Sequence, residues 1–531
     1  MTAPAAPYAT APIERDLVKL YLGFAGMVVG QFMAILDIQI VAASIAQIQA
    51  GVGATADEIA WIQTIYLLTE VMIMPLSAYM SRLWGTQKMF MTCCAAFMVT
   101  SVWAGLSTSI DMMIVARALQ GLAAGAMIPA VFATAFTAFP PERRISASVI
   151  IGMIVTLAPT IGPTLGGHLT EALSWRWLFF INVPPGLLVL FLVGRWGDFD
   201  KGDPSLAKGV DWPGQGAMSV SLLSMQYVLE EGAKNSWFAD DSILWLTVLS
   251  VVAGAFFVWR QLTYRQPIIN LRIFADRNFA LGMFVALVSG MSLFGGTFIL
   301  PLYLGQIRHF SAAQVGTTML VSGVTMFFSG PVCRLLLRRF PTRLSIFAGF
   351  MITAYAVGRG MHVTDDWGFS QFLVMQMLRG FGIMVAMISA QQLTVSTLRP
   401  DQIKDGSAIL NLTRNVGGAL GLALISTVLI IRTRVHFSEI SAAMGQAGGQ
   451  GQAMLSGLTD LMTQQNLTNP AGAANKAVYE LINRDAAVLA FGDTYFWLSM
   501  AAAAAGIVAL FAKSPKRASP QPTPAVLTGA H

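Results

Sequence analysis

Asp37, Glu70, Arg117, Arg379 and Arg414 each interrupt a long apolar run of this 531-residue sequence. An ionisable side chain inside hydrocarbon is costly and tends to face a cavity or a partner, so these five positions are the first places to look for chemistry. Asp37 and Arg117 each fall roughly 9–17 Å from the same end of their apolar helices at 1.5 Å per residue, so the two can meet at one depth. Glu70 lies near the middle of its run. The proton occupancy of a buried carboxyl depends both on burial and on a neighbouring guanidinium, so a ligand that alters either one changes that occupancy. Such a group can couple a proton to a second solute. The rival reading of Asp37 with Arg117 is a permanent ion pair that only fixes helix packing, and Glu70 can likewise be structural. Arg379 and Arg414 have no obvious acidic partner in their own half of the chain, leaving backbone carbonyls, polar side chains or an anionic ligand to hold them. His168 reads as a boundary residue.

The elements that must position these groups follow from composition. The chain is 55% apolar and 11% charged, against about 25% charged in a soluble protein, so its apolar surface requires a membrane. A net charge of +6 would suggest nucleic acid in a soluble chain; here the charges fall in short loops between apolar segments, and no nucleic-acid partner is expected. A window of about 20 residues predicts fourteen helices at 20–48, 58–80, 88–106, 112–138, 146–169, 176–194, 210–229, 242–262, 279–304, 314–337, 343–361, 370–396, 405–431 and 490–512. With the N-terminus inside, 22 of the 33 lysines and arginines lie in inside segments and 8 in outside ones, which predicts cytoplasmic N- and C-termini. The first apolar run is too long for a cleaved signal and reads as an uncleaved span. Cys93, Cys94 and Cys333 show neither metal-ligand nor disulfide-framework spacing.

A shift of 259 residues lays VARALQGLAAG and PPERRISASVI over VMQMLRGFGIM and RPDQIKDGSAI, with both copies covering helix, inside loop, helix. Parallel repeats of this kind relate the two halves of major-facilitator transporters. In the fifth run, GMIVTLAPTIGPTLGGHL places Gly152, Pro159, Gly162, Pro163, Gly166 and Gly167 where close helix approach and a kink are expected. That block resembles the antiporter motif of drug:proton antiporters of the major facilitator superfamily. ARALQG resembles the superfamily's fourth-helix motif and ILDIQIVAASIA its first-helix motif. WRWLFFINVPPG, PIINLRIFADRNF and NLTRNVGGALG resemble EmrB/QacA-type fourteen-span exporters, the EmrB branch most. Gln39 and Ala46 depart from the usual Thr and Pro of the first-helix motif. In AYMSRLWGTQK, Arg82 stands at the usual Asp position and Leu83 at the usual Arg, which removes the acid on which a gating salt bridge would be built.

The resemblance implies an all-α major-facilitator fold: a tail 1–19, a six-helix bundle 20–194, a linker with two inserted helices 195–278, a second bundle 279–512 containing an outside loop 432–490, and a tail 513–531. It implies a proton-driven antiporter of the bacterial inner membrane that exports hydrophobic drugs by alternating access, with no cofactor beyond the proton gradient. Through that loop it also implies a periplasmic membrane-fusion adaptor and an outer-membrane channel. The expected sites are Asp37, Glu70 and Arg117 for proton coupling; Gln39, Tyr66, Gln120, Gly121, Arg379, Asn411 and Arg414 for the substrate cavity or gating; and Gly152, Gly162, Pro163, Gly166 and Gly167 on the antiporter-motif helix. The 29 Met and 32 Phe suit a cavity that repacks around unlike apolar ligands. A metabolite importer or exporter of the same fold is the alternative. A membrane-embedded enzyme is disfavoured by the lack of a metal cluster or nucleophile–base pairing, and the absence of GxxxxGK[ST] removes direct ATP coupling.

Overall fold

The computed structural model describes residues 17–209, 211–264, 266–446, 449–464 and 469–513. Most of both expected tails therefore lies outside the described residues, as do the side chains of Pro159 and Pro163. Among the described residues there is no strand. The helices are α1 Leu17–Ala43, α2 Ile45–Val52, α3 Ala56–Trp84, α4 Thr86–Gly105, α5 Ile110–Thr137, α6 Pro141–Ala172, α7 Trp177–Phe180, α8 Val183–Trp196, α9 Trp212–Glu231 and α10 Asp241–Thr263. They continue with α11 Arg277–Gln306, α12 Ala312–Arg339, α13 Thr342–Gly358, α14 Phe369–Ser396, α15 Ile403–Gln446, α16 Gly449–Gln464 and α17 Pro470–Ala509.

Helix boundaries follow local chemistry. Thr55 and Glu58 form a reciprocal capping box at the start of α3, with Glu58 N donating to Thr55 Oγ1 at 3.3 Å and Thr55 N to Glu58 Oε2 at 2.9 Å. Asp276 accepts from Phe279 N at 2.8 Å to open α11. Each cap satisfies donors that the first helical turn leaves free. Pro141 sits in the first turn of α6, where its missing N–H costs nothing.

Twelve helices among the described residues are long and apolar enough to cross a membrane. Two of the fourteen expected spans, α6 and α9, fall outside that set. α9 is diluted by its glycine, serine and glutamine content, while several side chains of α6 lie outside the described residues; α6 packs on α1 and α12, and α9 on α3, α10 and α15. One group of helices packs as α1 on α6 and α8, α3 on α5, and α4 on α5 and α8; another packs α11 on α14, α15 and α17, with α13 on α14 and α17 and α12 on α14. The groups meet where α6 packs on α12 and α15 on α3 and α5.

The expected outside loop 432–490 is mostly helix. The helix α15 runs on to Gln446 and α17 begins at Pro470, so these are 44- and 40-residue helices of about 66 and 60 Å. Each is about twice the hydrocarbon thickness. The stretch beyond Ile431 is polar enough to end a hydropathy window yet contains no residue that breaks a helix before Gly445.

Candidate functional site

Arg117 of α5 and Asp37 of α1 form a fully buried ion pair. Asp37 Oδ1 accepts from Asn182 Nδ2 at 2.8 Å and Gln120 Nε2 at 3.1 Å. Arg117 Nη1 also donates to Gln120 Oε1 at 2.8 Å, and its Nε to the Ile62 carbonyl at 3.1 Å. The guanidinium lies 4.2 Å from the Tyr66 ring centroid, a cation–π contact, while the Tyr66 hydroxyl donates to the Ala34 carbonyl at 3.1 Å. Asn182 itself is held by Ser101 Oγ at 2.9 Å. Gly121 completes this unit by close approach: a Cβ there would collide with the Tyr66 carbonyl and Thr69 of α3. The sequence brings Asp37, Arg117, Gln120 and Tyr66 together as candidates; it does not single out Asn182, an uncharged residue in a short connector.

A cavity of about 210 Å³ opens between the two helix groups. Its walls include Leu67, Leu293, Phe294, Met319 and Met326, and its charged lining residues are Glu70, Arg379 and Arg414. Gln39 lines it as well, whereas Asp37, Tyr66, Gln120, Gly121 and Asn411 do not. Glu70 is buried and accepts from Asn415 Nδ2 of α15 at 3.3 Å through Oε1, while its Oε2 has no partner. Glu70 is thus the carboxylate that faces the cavity, and it is bridged across the two groups by an amide that sequence reasoning missed. Arg414 donates to Asn411 Oδ1 at 2.7 Å and lies 5.1 Å from the Phe132 ring centroid. Arg379 donates to Gln376 Oε1 at 2.8 Å and Ser322 Oγ at 3.0 Å, and its Nη1 has no partner.

The glycines of α6 face different surroundings. A Cβ on Gly162 would strike Gln39 of α1, and one on Gly152 would come within 2.9 Å of Met384 of α14. The Gly166 carbonyl accepts from Ser44 Oγ at 3.3 Å. A Cβ on Gly167 would meet nothing within 4 Å among the described residues, and His168 is exposed. Pro163 falls within the unbroken helix, its side chain outside the described residues.

The charge pair that the loop after α3 lacks in its usual form is present with reversed sign. Arg82 pairs with Asp405 of α15 and donates to the Ile268 carbonyl at 2.9 Å. Lys404 pairs with Asp200 and donates to the Ser81 carbonyl at 3.2 Å. These bonds tie the helix groups together on the face that carries the α3–α4 turn. Reading that loop alone shows only a lost acid; its replacement lies more than three hundred residues downstream.

The family description that matches is Major Facilitator Superfamily, over residues 27–422. The chain is 35% identical over 470 residues to the Colistin resistance protein EmrB of Acinetobacter baumannii, covering 88% of this chain and 92% of that protein. It is 28% identical over 481 residues to the Multidrug export protein EmrB of Escherichia coli, covering 88% and 90%. To the Fatty acid resistance protein FarB of Neisseria gonorrhoeae it is 26% identical over 425 residues, covering 80% and 82%. Among solved structures, the human organic anion transporter MFSD10 aligns with a TM-score of 0.54 at 12% identity, over 91% of this chain and 99% of that one. At that identity the likeness concerns the fold alone.

Proposed function

This chain belongs to the Major Facilitator Superfamily and is a multi-pass membrane transporter rather than an enzyme, and on that premise we propose that it is a proton-driven exporter of hydrophobic and amphipathic compounds across a bacterial inner membrane. The observation that carries the reading is the position of Glu70. It is the acidic residue in the lining of the central cavity, one of its oxygens is uncommitted, and its single hydrogen bond crosses from one helix group to the other. A proton on or off that carboxyl changes both the charge of the cavity and the bond to Asn415. Binding of a solute and movement of the two groups are thereby linked to the same proton.

In this reading the fourteen long helices form two six-helix bundles, with α9 and α10 inserted between them, both termini are cytoplasmic, and the bundles rock about the cavity to give alternating access. The Arg82–Asp405 and Lys404–Asp200 pairs close the cytoplasmic face and must part for that face to open. Asp37 and Arg117 hold α1 and α5 in register. The apolar walls with scattered methionines accept unlike ligands by repacking. Support for a drug-like cargo comes from relatives described as multidrug, colistin and fatty-acid resistance proteins. The helical extensions beyond the bilayer would engage an adaptor that continues export past an outer membrane.

The test is solute flux in proteoliposomes containing the purified chain, read with ethidium and with a dansylated fatty acid as probes under an imposed proton gradient. Flux against the proton gradient that stops on adding an uncoupler is expected. Movement of either probe along with protons, or flux indifferent to the gradient, would overturn the reading.

A further inference from the structure

Arg379 is 4% exposed, and none of its hydrogen-bond partners carries a charge. A buried guanidinium is retained when something compensates it, and neutral partners compensate only part. The two other charged groups that line the central cavity, Glu70 and Arg414, lie on neighbouring elements: Asn415, which holds Glu70, directly follows Arg414 in the chain. With Glu70 ionised, the lining then carries one positive charge in excess, and that charge is Arg379. Its Nη1 has no partner, and it lies against Gly296, where a Cβ would overlap it. Arg379 also lines a void of about 10 Å³, room for one water, together with Tyr495, whose hydroxyl has no partner. Two buried donors without an acceptor thus border one small space, and Arg379 is the residue that this space shares with the central cavity.

We infer that Arg379 is the anion-holding residue of the cavity: it takes a single compact oxyanion, a carboxylate in the simplest case, whose apolar body lies against Leu293, Met319 and Met326. A bidentate guanidinium–carboxylate pair would use the donor now left free. The inference rests on the cavity being the solute site of the proposed function and deepens it by naming the class, amphipathic monoanions. The same chemistry is offered by a soluble amphiphile and by an anionic lipid head group.

The probe is dansylaminoundecanoic acid, compared with its methyl ester, in nanodiscs of phosphatidylcholine at a pH where the acid is ionised. Binding is read from dansyl fluorescence after subtraction of empty discs. The native chain should hold the acid at least about tenfold more tightly than the ester, the scale of one charge-assisted bond in a buried site. Arg379→Gln should remove that preference while leaving ester binding within about twofold, and Arg379→Lys should keep part of it. Retained ester binding shows that the variant cavity is intact. Equal binding of acid and ester by the native chain overturns the inference. So does a preference that survives Arg379→Gln, or a loss of both probes alike, which would make Arg379 part of the wall only. Adding phosphatidylglycerol to the discs separates the sources: displacement of the acid in the native chain alone assigns the oxyanion to lipid, and undisturbed binding assigns it to the soluble amphiphile, the subsite standing in both. No proton gradient enters the measurement. A chain that pumps neutral compounds but shows no preference for the acid refutes only this inference, and one that prefers the acid but shows no gradient-driven flux refutes only the antiport reading.

Discussion

Two buried carboxylates in neighbouring helices, Asp37 and Glu70, are treated in opposite ways. Asp37 is met by a guanidinium and two side-chain amides, all from elements of its own helix group, and has no exposure to the cavity. Glu70 has one long bond to an amide of the other group and an oxygen left free in the cavity. A charge with a complete set of partners is fixed; one with an incomplete set responds to whatever enters beside it. The arginines divide by counter-charge instead, with Arg117 holding an acid at one site and Arg379 without one at the other. The contrast teaches that depth in the membrane alone does not mark the working carboxylate. On the proposed function commitment to partners does, separating a structural lock from an exchange site.

The largest effect expected from this contrast is that of Glu70→Gln. The amide keeps the shape and can still bond Asn415, but it carries no exchangeable proton. Gradient-driven flux in proteoliposomes should fall to that of protein-free vesicles, with thermal stability in detergent unchanged. Gradient-driven flux at the native rate in this variant would break the comparison at its centre, returning the coupling role to Asp37.

Arg117→Ala should act on the fold instead. It leaves Asp37 buried with its amides but without its counter-charge, and removal of one partner of a buried pair costs about 3–5 kcal/mol. A lowered unfolding temperature and reduced membrane abundance are expected, with Asp37→Asn in the same chain recovering part of both because the unpaired charge is gone. A double variant no more stable than Arg117→Ala would show that the guanidinium acts through Ile62 and Tyr66 rather than through the acid.

How far the sequence foretells this division depends on which interactions carry a cost that shows in composition. Hydrocarbon demands long apolar helices, so their places are legible from a sliding window, and a charge within one stands out at once. Asp37 and Arg117 were legible as a pair because depth follows from counting residues. Asn182 and Asn415, which distinguish the two carboxylates, were not legible: a neutral amide is unremarkable in a connector or on a helix rich in small residues. Asp405 was hidden because the charges of the pair are exchanged between distant segments. The extension of α15 was missed because polarity reports the end of hydrocarbon, and helices do not end there, whereas the helical apolar spacing of ANKAVYELINRDAAVL already points to that of α17.

Smaller in effect is the packing of α6 against the Asp37 helix. Gly162 and Gly167 lie on one helix, yet only the first meets a neighbour, Gln39 beside the cavity. Gly162→Ala should cost about 1–3 kcal/mol through overpacking and slow transport, while Gly167→Ala should stay within about 0.5 kcal/mol of the native chain. Unfolding temperatures and flux measured side by side check the pair. Equal behaviour of the two variants would detach the glycine block from the register of α1, and with it the structural role given to the Asp37 site.

The smallest expected effect on transport itself lies farthest from both carboxylates. The helix α16 packs on α17 and against the end of α15, beyond the length needed to cross hydrocarbon. Leu461 on α16 and Tyr479 on the extension of α17 are more than half exposed. Isolated helices of sixteen residues are marginal in water, so α16 gains its order from what it packs on. Replacing residues 447–468 by an equal length of glycine and serine keeps the connection between α15 and α17 and touches neither Glu70 nor Asp37. Flux in vesicles containing the chain alone should therefore match the native rate. On the proposed function, export in a host with two membranes continues through an adaptor, and there the same variant should lose drug resistance if the extensions are the docking surface. A vesicle defect would show that the extensions steer the rocking of α15, the helix that carries Asn415 and Arg414, and would join the outer segment to the exchange site. Full resistance in the two-membrane host would instead leave α16 a connector, with the contrast between the two carboxylates untouched.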